Sequence, residues 1–220
     1  MDTFSEIPIE LLSSPWTAKF YELIKLAQKE LLVASPFLSD APLRKIVEIV
    51  RCKPSFTNVH IDILTNLAVD SLLSGSLDVA ALLYLVQSIP NSTVTYLPSL
   101  HAKIYVADDK VAVVTSANLT TQGLEGNHEY GVLLRDPMLV SKVRIDLIKY
   151  AALGNKVSLD TLAALTQATQ DLKVVRQQAD KSIKRAFGNS STVMIGRVPQ
   201  RVGVEAQVAH NVGQQAQRPE

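Results

Sequence analysis

The sequence predicts an α/β fold in which a mixed, mostly parallel sheet carries helices on both faces. From residue 16 to residue 152, apolar runs of strand length alternate with segments of helical periodicity, an order typical of strand–helix–strand units. The composition is that of a soluble globular protein, because 47% of the 220 residues are hydrophobic and 20% are charged. A chain of this length is expected to form one domain and an appendage.

The first part of the predicted core alternates three helices with three strands. Helices are predicted where apolar residues recur every three or four positions, as at Phe20, Leu23 and Ala27. Asp40 and Asp78 are suited to cap two of these helices. Residues 1–15 are expected to be a lead-in. In order, the elements are a helix over 16–29, a strand over 31–37, a helix over 41–51, a strand over 58–65, a helix over 78–89 and a strand over 93–97.

Two adjacent strands, a loop, a third strand and a helix complete the predicted domain. Asp108 begins a tight polar turn between the two adjacent strands. Residues 119–126 are predicted to form a loop in which Gly123 and Gly126 permit positive φ. Asp136 is placed to open the last helix. In order, these elements are strands over 101–107, 111–114 and 129–134 and a helix over 137–152.

The C-terminal part of the sequence differs from the rest. Residues 159–187 contain no Pro or Gly and predict one long helix, in which Leu165 and Leu172 belong to a weak heptad. This heptad is compatible with self-association or with packing on the same chain. Residues beyond 187 lack aromatic side chains and predict a flexible tail, with a weak hairpin over 192–208 as the alternative. The predicted domains are a main domain over 1–153, a helical extension over 154–187 and a tail over 188–220.

Composition also argues against several classes of protein. The net charge of +1 gives no general attraction to nucleic acid. The single cysteine, Cys52, cannot form an intramolecular disulfide and suits a reducing compartment, and four histidines with one cysteine suggest no zinc cluster. No signal peptide or membrane-spanning run is recognisable. We therefore expect a cytoplasmic protein without a metal, a cofactor or a membrane anchor.

Chemically active side chains gather around one pair of predicted strands. His101 and Lys103 lie two residues apart, so on a strand they point to the same face. The strand over 111–114 returns to the same end of the sheet and is followed by Ser116 and Asn118. An imidazole, an ammonium, a hydroxyl and a carboxamide are the groups needed to hold and attack a phosphate diester. Glu129 adds a carboxylate at the start of the next strand.

This pattern resembles the phospholipase D superfamily, whose motif is H-x-K-x4-D followed by G-S-x-N and a later glutamate. Thr115 replaces the usual glycine of the second part, a modest departure because that position mainly allows close backbone approach. The resemblance covers roughly residues 16–150 and is specific to the superfamily but not to one substrate. The matching residues are His101, Lys103, Asp108, Ser116, Asn118 and Glu129.

The resemblance implies a role for each motif residue. His101 would attack phosphorus and form a covalent phosphohistidine without a metal, and Glu129 would orient its ring through the other ring nitrogen. Lys103, Ser116 and Asn118 would hold the phosphate oxygens. Asp108 lies at the far end of the strand and is expected to have a structural role.

The motif occurs once, whereas the superfamily chemistry uses two histidines. The resemblance therefore implies a homodimer in which two copies of His101 share one active site. Single-motif members resemble Nuc-like endonucleases and the catalytic domains of metal-independent restriction endonucleases. The chain is thus predicted to be a nuclease that hydrolyses DNA or RNA. Since no base-reading module is recognisable, any sequence specificity would come from loops or from a partner protein, such as an ATPase or methylase.

Two alternatives remain open at this stage. A phospholipase D-type lipid phosphodiesterase would use the same residues, but it should also have an exposed apolar rim or a targeting helix. A non-catalytic module that binds nucleic acid or scaffolds a complex is the other alternative, against which all six motif positions carry chemically competent residues.

Overall fold

The structure is a computed structural model that describes residues 8–188. The described residues divide into two units, residues 8–177 and residues 178–188. In the first unit the described residues form all eight strands and five complete helices. In the second unit the described residues, 178–188, are helical.

The elements follow the predicted order, with three additions. These are a first strand, a short third helix and a last short strand. A 3-10 turn at Phe56–Asn58 and a π-helical turn at Gln122–Gly126 complete the set. The elements are β1 (Ile9–Ser13), α1 (Thr17–Leu26), β2 (Glu30–Ala34), α2 (Asp40–Arg51), β3 (His60–Thr65), α3 (Val69–Ser74), α4 (Val79–Ser88), β4 (Ser92–Tyr96), β5 (Ile104–Ala107), β6 (Val111–Thr115), β7 (Tyr130–Leu134), α5 (Pro137–Leu153), β8 (Asn155–Lys156) and α6 (Leu159–Gly188).

One eight-stranded sheet organises the first unit, in the order β1-β7-β6-β5-β2-β3-β4-β8. The predicted α/β class and the mixed sheet are confirmed. The prediction that most strands pair in parallel is wrong. Only β2 with β3 and β3 with β4 are parallel, whereas the other five neighbouring pairs are antiparallel. Helical crossovers produce parallel neighbours, and here they connect only β2, β3 and β4. The hairpin from β5 to β6 and the two edge strands reverse direction instead.

The first strand lies where the sequence predicts a lead-in. β1 pairs along its whole length with β7, with Leu11 opposite Val132. Ile9 and Leu11 are exposed while Leu12 is buried. Apolar side chains thus occupy both faces of β1, and the alternation that would have identified a half-buried strand is absent.

Helices cover both faces of the sheet, as predicted. Successive strand residues point to opposite faces, so Leu31 and Val33 of β2 enter one core and Leu32 enters the other. The first core is covered by α1, α2 and α4, and the second by α5. Side chains that these helices contribute include Phe20, Leu23, Ile46, Val50 and Leu82 on one face and Val140 and Leu147 on the other.

The C-terminal helix α6 matches the predicted helix over 159–187 and includes Gly188. Its first turns join the main core through Leu162, which is fully buried. The predicted division of the chain at residue 153 remains a prediction. The predicted tail beyond residue 188, with its alternative hairpin, lies outside the described residues. None of the helices in residues 8–188 is long and apolar enough to cross a bilayer.

Candidate active site

The hairpin of β5 and β6 brings the motif residues to one end of the sheet. Ile104 is paired with Val114, so the residues just before β5 lie beside those just after β6. The amide of Thr115 donates to the carbonyl of Lys103 at 3.1 Å and extends this pairing by one step. The strand begins at Ile104 and not at His101 as predicted, which leaves His101 in the connecting segment.

His101 and Lys103 are in contact but differ in environment. His101 is exposed, whereas Lys103 is only 8% exposed. The Nζ of Lys103 lies 3.3 Å from both ring nitrogens of His101. Burial lowers the pKa of Lys103, and the negative charge of Glu129 partly offsets this. A partly desolvated ammonium therefore lies directly beside an accessible imidazole.

Glu129 lies in the same cluster but bonds to other partners than the predicted one. Its carboxylate accepts a short hydrogen bond from the Ser116 hydroxyl and a 3.0 Å bond from Asn127 Nδ2. No hydrogen bond joins Glu129 to His101 in this structure, so the orientation of the His101 ring by Glu129 stays a prediction. Its charge nevertheless acts on Lys103.

The backbone of Glu129 is held by the end of the first strand. Its amide donates to the Ser14 hydroxyl at 3.0 Å, and the Ser14 amide donates to the Glu129 carbonyl at 3.2 Å. Sequence reasoning missed Ser14 because the strand before it was not recognisable. Asn127 was visible as the first residue of an Asn-x-Glu triplet, but nothing in the sequence assigned it a contact. His128, which lies between Asn127 and Glu129 in the chain, is exposed.

Ser116 is anchored from two sides. Its amide donates to the carbonyl of Tyr130 at 3.0 Å, and its hydroxyl oxygen accepts from the amide of Tyr130 at 3.1 Å. Ser116 itself is exposed. The hydroxyl proton is directed to Glu129, so this side chain is oriented before any ligand arrives.

Thr115, which replaces the superfamily's usual glycine, is accommodated by the strand opposite. Its partner across the sheet is Gly131, where an added Cβ would lie 2.6 Å from the Cβ of Thr115. Gly131 thus leaves the space on the neighbouring strand that the side chain of Thr115 occupies. The Thr115 hydroxyl donates to the carbonyl of Tyr130 at 3.1 Å and accepts from the amide of Ala117 at 3.2 Å. The replacement therefore supports the loop without crowding it.

Asn118 has a constrained position. Its carbonyl accepts from the amide of Thr120 at 2.8 Å. Its Oδ1 is buried and finds no hydrogen-bond partner among the described residues. Leaving a buried acceptor unpaired costs about 1–3 kcal/mol. The donor that Asn118 can offer a phosphate oxygen is the other polar atom of its side chain, Nδ2.

The glycines after Asn118 have a different use from the predicted one. Residues 122–126 form a π-helical turn, and of the glycines in residues 8–188 only Gly75 has a positive φ. Gly123 is required by close approach, since a Cβ at this position would lie 2.3 Å from the Asn118 carbonyl oxygen. The expectation of positive φ at Gly123 and Gly126 is therefore wrong.

Asp108 lies at the opposite end of β5 from His101. Its carboxylate accepts hydrogen bonds from three consecutive amides at the start of β2, those of Gln28, Lys29 and Glu30, at 2.9–3.2 Å. Burial raises the pKa of Asp108, but these amides and the charge of Lys110 outweigh it, so that the pKa lies below its usual value. Asp108 ties the hairpin turn to the neighbouring strand, and its φ of 52° is left-handed.

The six motif residues thus fall into two groups. Asp108 is separate, while the other five lie just before β5, just after β6 and just before β7. Those five are His101, Lys103, Ser116, Asn118 and Glu129. In the described range, no three or more His, Cys, Asp or Glu side chains are arranged to hold a metal ion.

Comparisons with known proteins bear on the family and the fold. Residues 20–151, more than half of the chain, match the family described as cardiolipin synthase, PLD-like domain. A comparison with curated protein sequences finds no match.

Solved structures of three bacterial proteins are similar in fold. Nuc from Salmonella typhimurium, a phospholipase D family member, has a TM-score of 0.56 at 16% identity, over 68% of this chain and 97% of that one. NucT from Helicobacter pylori has a TM-score of 0.54 at 16% identity, over 68% and 98%. Phosphatidylserine synthase from Haemophilus influenzae has a TM-score of 0.54 at 15% identity, over 80% of this chain but 47% of that one.

Replacing Asp108 by asparagine is expected to destabilise the fold. The carboxamide has one acceptor oxygen for three amides and no charge, so the free energy of unfolding should fall by about 1–3 kcal/mol at pH 7. Urea unfolding measures this value. Asp109→Asn is the matched control, because the Asp109 side chain is 74% exposed and should change stability by less than about 0.5 kcal/mol. Equal losses of unfolding free energy in both variants would contradict the stabilising role of the hydrogen bonds that Asp108 accepts.

The same variant predicts a pH dependence. The pKa of Asp108 is depressed in the folded protein, so its carboxylate contributes stability fully above the unfolded-state pKa of about 3.9. That contribution is lost as pH falls through this value towards the folded-state pKa. The difference in unfolding free energy between wild type and Asp108→Asn should therefore be constant above about pH 5 and shrink below about pH 4. A difference that is unchanged at pH 3 would contradict this assignment.

Gly123→Ala is expected to be destabilising while Gly126→Ala is tolerated. The added methyl group at Gly123 would clash with the backbone of Asn118, whereas at Gly126 it would meet only the movable end of the Gln122 side chain. Forcing the loop to shift should cost about 1–3 kcal/mol. Thermal unfolding of both variants measures the difference, and equal melting temperatures would show that the close approach is unimportant.

Proposed function

Because the chain belongs to this family of PLD-like domains, we propose that it is a phosphodiester hydrolase whose substrate is nucleic acid, DNA or RNA. Family membership agrees with the resemblance of the motif. The observation that carries the proposal is the buried ammonium of Lys103, 3.3 Å from the ring of the exposed His101. It places a positive charge beside an accessible nucleophile.

Binding of the diester would use the positive and donor groups of the cluster. A phosphodiester resists attack because its negative oxygens repel nucleophiles. Lys103 supplies a positive charge in a partly desolvated position, where it acts more strongly than in water. Asn118 and Ser116 supply hydrogen-bond donors for the equatorial oxygens, on which charge is spread in the transition state.

His101 would act as the nucleophile. A neutral imidazole has a ring-nitrogen lone pair available for attack. Its attack forms a phosphorus–nitrogen bond and breaks the phosphorus–oxygen bond to the leaving alcohol, which takes up a proton. Water then attacks the phosphohistidine, releases a phosphate monoester and restores the imidazole.

Glu129 and Ser116 would exchange partners during this reaction. In the free protein the Ser116 hydroxyl donates to Glu129. A bound phosphate competes for that donor, which frees one carboxylate oxygen to accept a hydrogen bond from the imidazole ring. Glu129 would then fix the ring tautomer, as the superfamily resemblance implies.

The protein would work as a homodimer in which two copies of His101 meet. The sequence contains one motif, and the leaving oxygen needs a proton donor that a second imidazole can supply. The coverage of the similar structures supports this architecture. The chain spans nearly all of Nuc and NucT, but about half of the phosphatidylserine synthase.

Nucleic acid is favoured over lipid by the single motif, since the single-motif members that the sequence resembles are Nuc-like endonucleases. One observation keeps a phospholipid substrate as a second candidate. Val69 and Leu73 of α3 are 67% and 45% exposed, and α3 follows β3 at the end of the sheet where the motif residues lie. An exposed apolar rim is the feature that a lipid phosphodiesterase requires. The phosphatidylserine synthase similarity and the family description agree with that candidate.

A third candidate is a non-catalytic module that binds nucleic acid with the same cluster. Binding that uses phosphate contacts should weaken steeply as salt concentration rises. Lipid turnover should instead depend on vesicles. Binding without cleavage at any salt concentration would favour the third candidate.

The cellular setting is also a proposal. The exposed free thiol of Cys52 suits a reducing compartment such as the cytoplasm. Because the sequence contains no recognisable base-reading module, a partner protein is proposed to supply any specificity.

His101→Ala should abolish cleavage without unfolding the protein. Loss of the nucleophile is expected to reduce the rate by at least about 10³-fold. The assay offers single- and double-stranded DNA, RNA and phospholipid vesicles in the presence of EDTA. His128→Ala is the matched control, because this second exposed histidine lies one residue from Glu129.

The outcomes of that assay separate the candidates. Cleavage of nucleic acid in EDTA that is lost in His101→Ala but kept in His128→Ala supports the proposal. Activity that disappears with EDTA, or that survives in His101→Ala, contradicts it. Turnover of vesicles alone would identify the lipid enzyme.

Activity per chain should fall on dilution in parallel with the fraction of dimer. A shared site is complete only in the dimer, so the monomer should be inactive. Sedimentation and rate measurements over the same concentration range test this expectation. A monomer with full activity would refute the shared site.

A further inference from the structure

We propose that Tyr105 and Ser35 are positioning residues for Asn118, whose neighbouring peptide groups they hold from opposite sides. This inference deepens the proposed function, because it rests on Asn118 binding the phosphate. Neither residue belongs to the motif, and neither is expected to touch the substrate, since both are fully buried.

Tyr105 holds the carbonyl that precedes Asn118. It lies two residues after Lys103 on β5 and therefore on the same face of the strand. Its hydroxyl donates to the carbonyl of Ala117 at 2.9 Å. Burial raises the pKa of the Tyr105 hydroxyl well above its ordinary value. The hydroxyl therefore remains a neutral donor throughout the working pH range.

The ring of Tyr105 is fixed by aromatic neighbours. Trp16 immediately precedes α1, and Phe20 lies within it. Their ring centroids lie 5.4 Å and 5.6 Å, respectively, from that of Tyr105. The indole nitrogen of Trp16 donates to the carbonyl of Gly123 at 3.1 Å. The same aromatic cluster thus supports the hydroxyl and the loop that approaches Asn118.

Ser35 holds the amide that follows Asn118. Its hydroxyl oxygen accepts from the amide of Leu119 at 3.0 Å and donates to the carbonyl of Phe37 at 2.7 Å. Ser35 itself is tied to β3, because its amide donates to the carbonyl of Leu64 at 3.0 Å. The position of Leu119 is therefore set by the end of β2, a part of the chain 84 residues away.

Together these contacts fix the backbone from which the Asn118 side chain projects. The carbonyl before Asn118 and the amide after it are both occupied by buried hydroxyls, so the peptide groups on either side cannot rotate freely. Gly123 closes the remaining side, since it lies against the Asn118 carbonyl. The backbone that carries the carboxamide is thereby held before a ligand binds, and the Nδ2 group is the donor that this side chain can offer a phosphate oxygen. Such preorganisation is how an active site avoids reorganising during the reaction.

A packing role would not require the two hydroxyls. Phenylalanine fills nearly the same space as Tyr105, and alanine fits where serine stands at position 35. Tyr105→Phe therefore removes the contact with Ala117, and Ser35→Ala removes the contact with Leu119 together with the local bond to Phe37.

The test measures hydrolysis of bis(4-nitrophenyl) phosphate and of a nucleic acid substrate. Tyr105→Phe and Ser35→Ala are each expected to lower kcat/KM about tenfold, because a small displacement of a binding group is costly. Tyr21→Phe and Ser92→Ala are matched controls. Tyr21 follows Phe20 on α1, with ring centroids 6.0 Å apart, and its hydroxyl is not part of the contacts to Ala117 or Leu119. Ser92 bonds a backbone carbonyl at 2.6 Å near the start of β4. Controls that lose as much activity would overturn the inference.

A double-mutant cycle separates positioning from a general loss of folded protein. If Tyr105 acts through Asn118, the tenfold loss should disappear when Tyr105→Phe is made in the Asn118→Ala background. A loss of folded protein would persist in that background. Full additivity of the two substitutions would therefore overturn the inference.

A second readout does not depend on turnover. In Ser35→Ala the amide of Leu119 should exchange its hydrogen faster than in Ser92→Ala, and the side-chain amide resonances of Asn118 should shift in both active-site variants. Unchanged exchange and resonances would overturn the positioning role. Altered signals in a protein whose wild type shows no His101-dependent hydrolysis would refute the proposed function but support the positioning role.

Discussion

The antiparallel pairing of β5 with β6 is the constraint on which the rest of the site depends. With Ile104 opposite Val114, the residues before one strand and those after the other must lie side by side. A shift of one residue in this register would turn every side chain to the other face. The register is protected by burial, because Tyr105 and Val113 enter one core while Val106 and Ala112 enter the other. Asp108 secures the turn by accepting hydrogen bonds from the amides of Gln28 and Lys29, just before β2, and of Glu30, its first residue.

A second constraint acts on the loop after β6, which is held in place by contacts from several other parts of the chain. Its backbone is bonded by Ser35 from the end of β2 and by Tyr105 from β5. The strand that precedes α1 reaches Glu129 through Ser14. These contacts join parts of the chain that are far apart in sequence. The cluster is thus built on elements of a packed sheet rather than on one free loop, which is the arrangement that keeps functional groups in place.

Much of this architecture could be predicted from local patterns. Asp78 and Asp136 cap α4 and α5 as expected, and the motif spacing correctly placed His101 and Lys103 next to each other. The direction of strands was harder to predict, because apolar runs look alike in parallel and antiparallel pairs. β1 was missed because its apolar side chains are on both faces. The partners of Glu129 and the close approach of Gly123 depend on contacts between distant segments, which no spacing in the sequence reveals.

The central claim is that His101 carries the phosphoryl group during the reaction. The most direct measurement is to quench the protein during turnover of a labelled diester under alkaline conditions and to analyse its peptides by mass spectrometry. An acid-labile adduct that carries the phosphorus with its one remaining ester group is predicted on the peptide that contains His101, and it should be absent from His101→Ala. Steady turnover without any adduct at this residue, or an adduct on another residue, would contradict the account.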